Sequence, residues 1–364
     1  MPPELNGFPE GLPARVEGAA AWYGPEIAAR GGWIVTLSAA ELDELAAAAA
    51  PWLVRVEHDA RAMNELVAAD FALPTLAARL ARMTDTLLHG RGFALLRGLP
   101  VERWGNRLSA VAFYGLGVHV GLPRTQNAQG HLLGHVRDLG LSSDDPTVRI
   151  YQTHERQTFH TDSADVVGLL CLQTAKSGGL SALVSSVTLY NELRARRPDL
   201  ACRLFAPFAT DRRGEVPPGE RPYFTIPIFN WYAGEISAIY QRQYIDSAQR
   251  FAGAPQLESA DVEALDLLDA LTDDPALHLT MTLERGDMQF VHNHTLLHDR
   301  TSFEDYPEPA RRRHLLRLWL APRGARPLPP VFAQRYGSVV PGARGGVGVA
   351  DDDGLMPLPE EWRG

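Results

Sequence analysis

Apolar residues recur at helical spacing in two stretches of the first ninety residues. Ser38 and Glu41 stand in the arrangement of a capping box at the start of SAAELDELAAAAAPWLV, which predicts a helix. The segment FALPTLAARLARMTDTLLHGRG predicts a second helix that ends at Gly90 or Gly92, and FALLRGLP after it predicts a short buried strand. Residues 1–85 are therefore expected to form a helical or mixed extension packed on the core.

From residue 121 onward the apolar periods are mostly short and strand-like, with turn residues between them. Two helical segments interrupt them. One is a helical pair around residues 186–207, with Ser186 or Thr188 as its expected N-cap, and the other is an amphipathic helix around residues 258–272.

Many strands with few helices favour an α+β fold. We predict a double-stranded β-helix (jelly-roll) core over residues 86–321, with flanking and inserted helices. A tail rich in proline and glycine follows as residues 322–364. No predicted strand leads into G-x-G-x-x-G or G-x-x-x-x-G-K-[ST], which argues against a doubly wound nucleotide-binding fold.

The net charge and the cysteine content limit the classes of partner and the cellular setting that this protein can have. A net charge of −9 argues against a nucleic-acid-binding surface. Cys171 and Cys202 are the two cysteines of the chain, so a disulfide framework is not expected. Residues 1–30 lack the pattern of a signal peptide, and the longest apolar window is too short to span a bilayer. We expect a cytoplasmic protein with a small-molecule partner, neither nucleic acid nor membrane; homo-oligomerisation stays open.

The stretch QTFHTDSADVVGLL places His160 and Asp162 two positions apart in what reads as a strand, hence on one face. An imidazole and a carboxylate are two of the three ligands of the two-histidine, one-carboxylate triad that binds non-haem Fe(II). A buried His–Asp hydrogen bond is the structural alternative. The segment GDMQFVHNHTLLHDRTSFED supplies His292, His294 and His298 as candidates for the second histidine.

The segment RRRHLLRLWL places Arg313 and Arg317 on one face of a strand. An arginine that points into an apolar barrel is costly unless it meets an anion, and guanidinium binds a carboxylate through two parallel hydrogen bonds. A dicarboxylate co-substrate fits this pattern. Ion pairs with the chain's own Asp and Glu residues are the alternative.

Together these motifs resemble the TauD/TfdA-type Fe(II)/2-oxoglutarate-dependent dioxygenases of the clavaminate-synthase-like superfamily, over about residues 90–321. The likeness of FHTDS to the family's H-x-D segment implies that His160 and Asp162 are iron ligands. The D-R-T context that follows His298 implies that His298, rather than His292, is the third ligand.

The same resemblance implies the co-substrate contacts. The segment RRRHLLRLWL resembles the family's terminal R-x-x-x-R strand, which implies that Arg317 binds the distal carboxylate of 2-oxoglutarate and that Arg313 lies near the metal-chelating end. The turn SGGLS resembles the one whose hydroxyl residue also touches 2-oxoglutarate, and Ser181 stands at that position.

The activity that the resemblance implies is the oxidation of an unactivated C–H, coupled to conversion of 2-oxoglutarate and O₂ to succinate and CO₂ at Fe(II). Asp162 occupies the position that halogenating relatives fill with a small residue, which favours hydroxylation. Several arginines near the site indicate a small anionic or zwitterionic substrate, such as an amino acid or a natural-product intermediate. The competing hypothesis is a non-catalytic or zinc-loaded jelly roll that binds a small molecule.

Candidate substrate contacts come from segments next to the H-x-D strand. The segment RTQNAQGHLLGHVRDLG corresponds in relatives to a loop near the pocket, so Asn127, His131 and Arg137 are candidates, and Arg156 flanks the ligand strand. For each, a turn-stabilising or solvent-exposed role is the alternative. Asp165 is predicted to point away from the face that carries Asp162 and to make a structural hydrogen bond.

Overall fold

The computed structural model describes residues 7–143, 148–347 and 354–360. In these residues the α-helices are α1 (Gly24–Arg30), α2 (Ala39–His58), α3 (Leu76–His89), α4 (Val101–Val118), α5 (Ser186–Arg196), α6 (Pro198–Arg203), α7 (Arg242–Ala248), α8 (Ser259–Thr272) and α9 (Ala333–Tyr336). The strands are β1 (Ile34–Thr36), β2 (Phe93–Arg97), β3 (Leu122–Arg124), β4 (Leu133–Val136), β5 (Gln157–His160), β6 (Val166–Gln173), β7 (Ser177–Gly178), β8 (Ser181–Ser185), β9 (Pro207–Asp211), β10 (Tyr223–Pro227), β11 (Phe229–Tyr232), β12 (Glu235–Ala238), β13 (Leu279–Met281), β14 (Met288–His292), β15 (Leu296–Arg300), β16 (Phe303–Glu304) and β17 (His314–Ala321).

Two sheets form the jelly roll. The larger sheet has the order β1-β2-β14-β6-β17-β3, with β4 also paired to β17, and the smaller has the order β13-β8-β15-β5. Apart from the parallel pair β1–β2, the strand pairings of both sheets are antiparallel. This is the jelly roll with helical decoration that the short, turn-punctuated periods predict.

Helices α2, α3 and α4 cover the outer face of the larger sheet. The capping box at the start of α2 is present: Ser38 Oγ accepts the N–H of Glu41 at 3.3 Å, and the Glu41 carboxylate accepts the N–H of Ser38 at 2.8 Å. Helix α3 ends at His89 with Gly90 as its cap residue, as its glycine predicts. Both helices bury an apolar face in one shared core with α4.

Helix α4 is an element that the apolar pattern of the sequence does not predict. Its second half, from Ser109 to Val118, is buried on every side, so it has no polar face to mark a helical period. Gly115 permits the close packing there, because a Cβ at that position would lie 2.2 Å from the Phe71 ring. The helix thus lies between the larger sheet and the N-terminal helices.

On the other side, α5, α6 and α8 pack against the smaller sheet and occupy the two segments predicted to be helical inserts. The N-cap of α5 is Ser185 and not Ser186 or Thr188, because Ser185 still has extended backbone and its Oγ accepts the N–H of Thr188 at 3.1 Å. Ser186 is already the first helical residue.

Described residues of both the N-terminal extension and the tail pack into this core. Strand β1 pairs with β2, with Ile34 opposite Leu95, and the predicted domain boundary after residue 85 falls inside α3. At the other end, Arg344 and Val347 of the tail are buried, and Leu355 forms a β-bridge with His131. No helix in the described part of the chain is long and apolar enough to cross a membrane.

Candidate active site

His160, Asp162 and His298 converge between the two sheets. Strand β15 pairs with β5 so that His298 lies directly opposite His160. The Nε2 atom of His160 lies 3.8 Å from Asp162 Oδ1, and that of His298 lies 4.0 Å from Asp162 Oδ2. One possible ligand atom from each residue falls within 4.8 Å of the other two. Two imidazole nitrogens and one carboxylate oxygen therefore surround a common point.

Asp162 reaches this point from a loop. Strand β5 ends at His160, so the expectation that both residues lie on one strand is wrong. Contacts from other elements hold the loop: the N–H of Asp162 donates to Asn293 Oδ1 at 3.2 Å, and Trp319 Nε1–H donates to Asp162 Oδ2 at 2.9 Å. The carboxylate is thus oriented by tertiary contacts rather than by strand alternation.

The protonation states suit a metal. His160 Nδ1 lies 2.8 Å from the Thr158 carbonyl, which assigns the ring proton to Nδ1 and makes Nε2 an acceptor. The Gln157 amide nitrogen lies 2.8 Å from Nε2, so a metal ion at Nε2 would replace that hydrogen bond. Burial lowers the pKa of both histidines, that of His298 to about 3. Burial acts to raise the pKa of Asp162, but the positive charge of Arg317 is the largest opposing influence, and the pKa is lowered overall to about 2. Two neutral imidazoles and a carboxylate fit Fe(II).

The competing histidines lie elsewhere. His294 Nε2 is 2.7 Å from Asp165 Oδ1, and His292 Nδ1 is 2.8 Å from Thr295 Oγ1. Asp165 also accepts from Arg344 Nε at 2.9 Å, so it has the structural hydrogen bonds predicted for it. Of the three candidate histidines, His298, preferred for its D-R-T context, is the one that the structure groups with His160 and Asp162.

The two arginines lie in the order opposite to the expected one. Arg317 is at the metal end: its Nη1 lies 3.3 Å from Asp162 Oδ2, and its Nε donates to Gln126 Oε1 at 2.8 Å. The direction of β17 is the reason. It runs antiparallel to β6 with Leu320 opposite Val166, so residues later in β17 approach the loop that carries Asp162.

Arg313 lies at the far end of the same cavity, which Ser181 and Arg300 also line. Arg300 donates through both Nη atoms to the carbonyls of Thr153 and Glu155, while its buried Nε has no hydrogen-bond partner. Arg313 Nη1 is buried and has no hydrogen-bond partner, and no carboxylate of the described residues forms an ion pair with this guanidinium. Burial lowers the pKa of Arg313 to about 10. An unpaired buried cation beside a cavity is suited to bind an anion.

A second cavity adjoins the first, and the residues that line both are Tyr151, Gln157, His160, Asp162 and Arg317. Its polar wall includes five side chains that the sequence motifs do not mark: Gln126, Arg149, Tyr151, Tyr244 and Arg335. The single sequence signal for any of them is the position of Gln126, next to the candidate Asn127.

The four predicted substrate contacts line neither cavity. Asn127 and His131 bond to each other, with Asn127 Nδ2 3.1 Å from His131 Nδ1, and so close a turn. Gln126 faces inward instead, because neighbouring residues of an extended segment face opposite sides, and its amide donates to the Arg317 carbonyl at 2.8 Å.

Arg137 and Arg156, the other two predicted substrate contacts, also lie outside both cavities. Arg137 lines a separate groove together with Arg285 and Arg312. Arg156 forms ion pairs with Asp273 at 2.6 Å and with Asp299 at 2.8 Å, so its guanidinium is paired with carboxylates of this chain.

A jelly roll that gathers two histidines and one carboxylate has the ligand set of the non-haem Fe(II) oxygenases. Residues 58–319 match the model of one such family, described as "Taurine catabolism dioxygenase TauD, TfdA family". The chain belongs to this family and is an Fe(II)/2-oxoglutarate-dependent dioxygenase, with O₂ as its oxidant.

Related sequences match this chain over most of its length. FR-33289 synthase of Streptomyces rubellomurinus is 32% identical over 318 residues, which cover 86% of this chain and 92% of that protein. The taurine hydroxylase-like protein SAT17 of Stachybotrys chartarum is 29% identical over 317 residues, 84% of this chain and 80% of that protein. Among solved structures, an asparagine oxygenase in complex with Fe(II), hydroxyasparagine and succinate shares the fold, with a TM-score of 0.59 at 19% identity over 79% of this chain and 93% of its own.

Proposed function

We propose that this dioxygenase hydroxylates an unactivated C–H of a small anionic or zwitterionic molecule, such as an amino acid or a natural-product intermediate, with iron held by His160, Asp162 and His298. The observation that carries the proposal is the convergence of their three ligand atoms within 4.8 Å. One relative is named a taurine hydroxylase-like protein, which favours hydroxylation as the outcome. Bound Fe(II) supplies the activation of O₂ that is coupled to decarboxylation of 2-oxoglutarate.

The chain's own residues bind and orient the reactants. We assign the distal carboxylate of 2-oxoglutarate to Arg313, whose unpaired guanidinium supports this role, with Ser181 beside it in the same cavity. Arg317 lies at the metal end, where it and Trp319 orient the Asp162 carboxylate. Apolar side chains of the same cavity wall, Val167, Leu169 and Leu315, exclude water from the co-substrate.

The cavity on the other side of the cluster is our candidate for the substrate. Arg149 and Arg335 line it together with Gln126 and Tyr151, and cationic and neutral hydrogen-bonding groups of this kind suit an anionic or zwitterionic molecule. Both cysteines are free, in agreement with the reducing, cytoplasmic setting that we propose.

The test is spectroscopic and anaerobic. Fe(II) and then 2-oxoglutarate are added to metal-free protein, and the weak visible charge-transfer band of a 2-oxoacid chelated to iron is recorded. We expect the band in the wild type, its loss in His298→Ala, and its retention in His292→Ala, because His292 bonds to Thr295 outside the cluster. With the band established, release of succinate in the presence of amino acids and sulfonates identifies the substrate.

Two outcomes would contradict the proposal. Loss of the band in His292→Ala but not in His298→Ala would overturn the ligand assignment. Tight binding of zinc without binding of Fe(II), or Fe(II) binding without the band, would favour the non-catalytic or zinc-loaded binding protein.

A further inference from the structure

Arg335 stands outside the part of the chain that matches the family, yet it lines the cavity beside the cluster. It belongs to α9, in the tail beyond residue 319, and its side chain is 8% exposed. Its Nε donates to Ser163 Oγ at 2.7 Å, and Ser163 directly follows Asp162. The tail therefore brings a guanidinium next to the loop that carries the carboxylate of the cluster.

The hydrogen-bonding capacity of this guanidinium is largely unused. Among the described residues, Ser163 is its one hydrogen-bond partner. The nearest carboxylate is that of Glu215, 3.7 Å from Arg335 Nη2, which is beyond hydrogen-bonding distance. Glu215 is instead hydrogen-bonded to Arg149. A buried guanidinium with unmet donors at a cavity wall is a site for an acceptor that carries negative charge.

The charges around the cavity leave a surplus of positive charge. Three arginines line it, Arg149, Arg317 and Arg335. The carboxylates that face them are Glu215, held by Arg149, and Asp162, which belongs to the cluster. The remaining acidic residue in the wall is Asp211, whose carboxylate is engaged by Arg250 and by Ser247 Oγ. Three guanidinium groups thus face two carboxylates, and the difference is one positive charge.

We propose that Arg335, assisted by Arg149, binds an anionic group of the substrate, either a carboxylate or a tetrahedral oxyanion, and so determines substrate specificity in this active site. The inference deepens the proposed function and rests on it. The co-substrate position at Arg313 belongs to the other cavity: Arg313 lines only that cavity and Arg335 only this one, although the two cavities share His160, Asp162 and Arg317 in their walls. An anion at Arg335 therefore leaves the co-substrate in place.

The test is isothermal titration calorimetry on the anaerobic protein loaded with Fe(II) and saturated with 2-oxoglutarate, so that Arg313 is occupied. Sulfate and acetate are titrated separately, as a tetrahedral and a planar anion. We expect at least one of them to bind the wild type, and Arg335→Gln to weaken this binding tenfold or more. The tighter of the two probes tells which kind of anionic group the substrate carries.

Two further variants keep the result interpretable. Glu215→Gln removes the carboxylate nearest to both arginines, and we expect it to tighten anion binding severalfold, a change that damage to the fold does not produce. Arg326→Gln is the matched control. Arg326 comes from the same tail, has a side chain 7% exposed and donates to the Ile236 carbonyl, and it lines neither cavity, so anion binding stays as in the wild type.

The outcomes separate the two proposals. Equal anion affinity in the wild type and Arg335→Gln, or no anion binding in the wild type, overturns the role of Arg335 while the 2-oxoglutarate band stands. Weaker binding in Glu215→Gln overturns it as well. Absence of the band in the wild type overturns the proposed function, and the inference about Arg335 falls with it.

Discussion

Replacement of Arg313 and Arg317 by methionine, one at a time, tests the order in which the structure places them. Methionine has a similar length and no charge. In Arg313→Met the protein loses a buried cation that forms no ion pair among the described residues, with Asp305 as its acidic neighbour at longer range. In Arg317→Met it loses a cation that contacts Asp162 at 3.3 Å and Gln126 at 2.8 Å. The two substitutions therefore have opposite consequences for stability and for co-substrate binding.

For the co-substrate, the loss in Arg313→Met is large. Removal of one partner of a buried, hydrogen-bonded charge pair costs about 2–5 kcal/mol. At about 1.4 kcal/mol per tenfold, the dissociation constant of 2-oxoglutarate rises roughly 30-fold to several thousand-fold. The affinity for Fe(II) stays close to that of the wild type, because Arg313 lies at the far end of the cavity from Asp162.

Without co-substrate, we expect the two substitutions to affect the free energy of unfolding differently. Arg313→Met leaves the free energy of unfolding unchanged or raises it, since an apolar group replaces an unpaired buried charge. Arg317→Met lowers it by about 1–3 kcal/mol, because Gln126 and Asp162 lose a buried partner.

Two measurements decide the matter: anaerobic titration of the visible band with 2-oxoglutarate, and urea unfolding of the metal-free proteins. If Arg317→Met weakens 2-oxoglutarate binding more than Arg313→Met, and Fe(II) affinity is unchanged in both, the assignment is refuted and Arg317 binds the distal carboxylate.

The remaining predictions concern the tail and Asp165. Arg344→Met removes an ion-pair partner of the buried Asp165 carboxylate, and we expect it to lower the free energy of unfolding, measured in urea, by about 3–5 kcal/mol. The control Arg323→Met, at an exposed position in the same tail, changes that free energy by at most about 0.5 kcal/mol. Equal effects of the two substitutions would contradict this prediction. Burial acts to raise the pKa of Asp165, but His294 and Arg344 lower it overall. The unfolded chain, with a pKa of about 3.9, then binds more protons than the folded one, so this stabilisation is present above pH of about 4 and is lost as pH falls through the folded pKa. Asp165→Asn flattens the acid side of the stability profile, and an unchanged slope would rule the idea out.

Much of the fold is readable from local pattern. The capping residues Ser38 and Glu41, the amphipathic spacing of α3 and α8, and the short strand periods each depend on neighbours a few positions away. Helix α4 was not readable in this way, since a segment buried on all sides shows no periodicity. The N-cap of α5 was misplaced by one residue because two serines stand side by side and only the backbone conformation distinguishes them.

In the candidate site, too, some features could be predicted from local motifs and others could not. His160, Asp162 and His298 were named from motifs, and the structure brings their ligand atoms together. The family resemblance placed Arg313 near the metal and Arg317 at the distal end, the reverse of what the structure has, since the motif gives their spacing but not which end of β17 approaches Asp162.

The sequence by itself determined the class of this protein, a jelly-roll dioxygenase, and pointed to the three side chains whose possible ligand atoms lie within 4.8 Å of one another. Tertiary structure alone decided which neighbours reach the site, because that depends on strand pairing and on contacts between residues far apart in the chain. Gln126 faces Arg317, 191 positions away, while the adjacent Asn127 closes a turn. Arg335 reaches Ser163 across 172 positions, and no local pattern records such a contact.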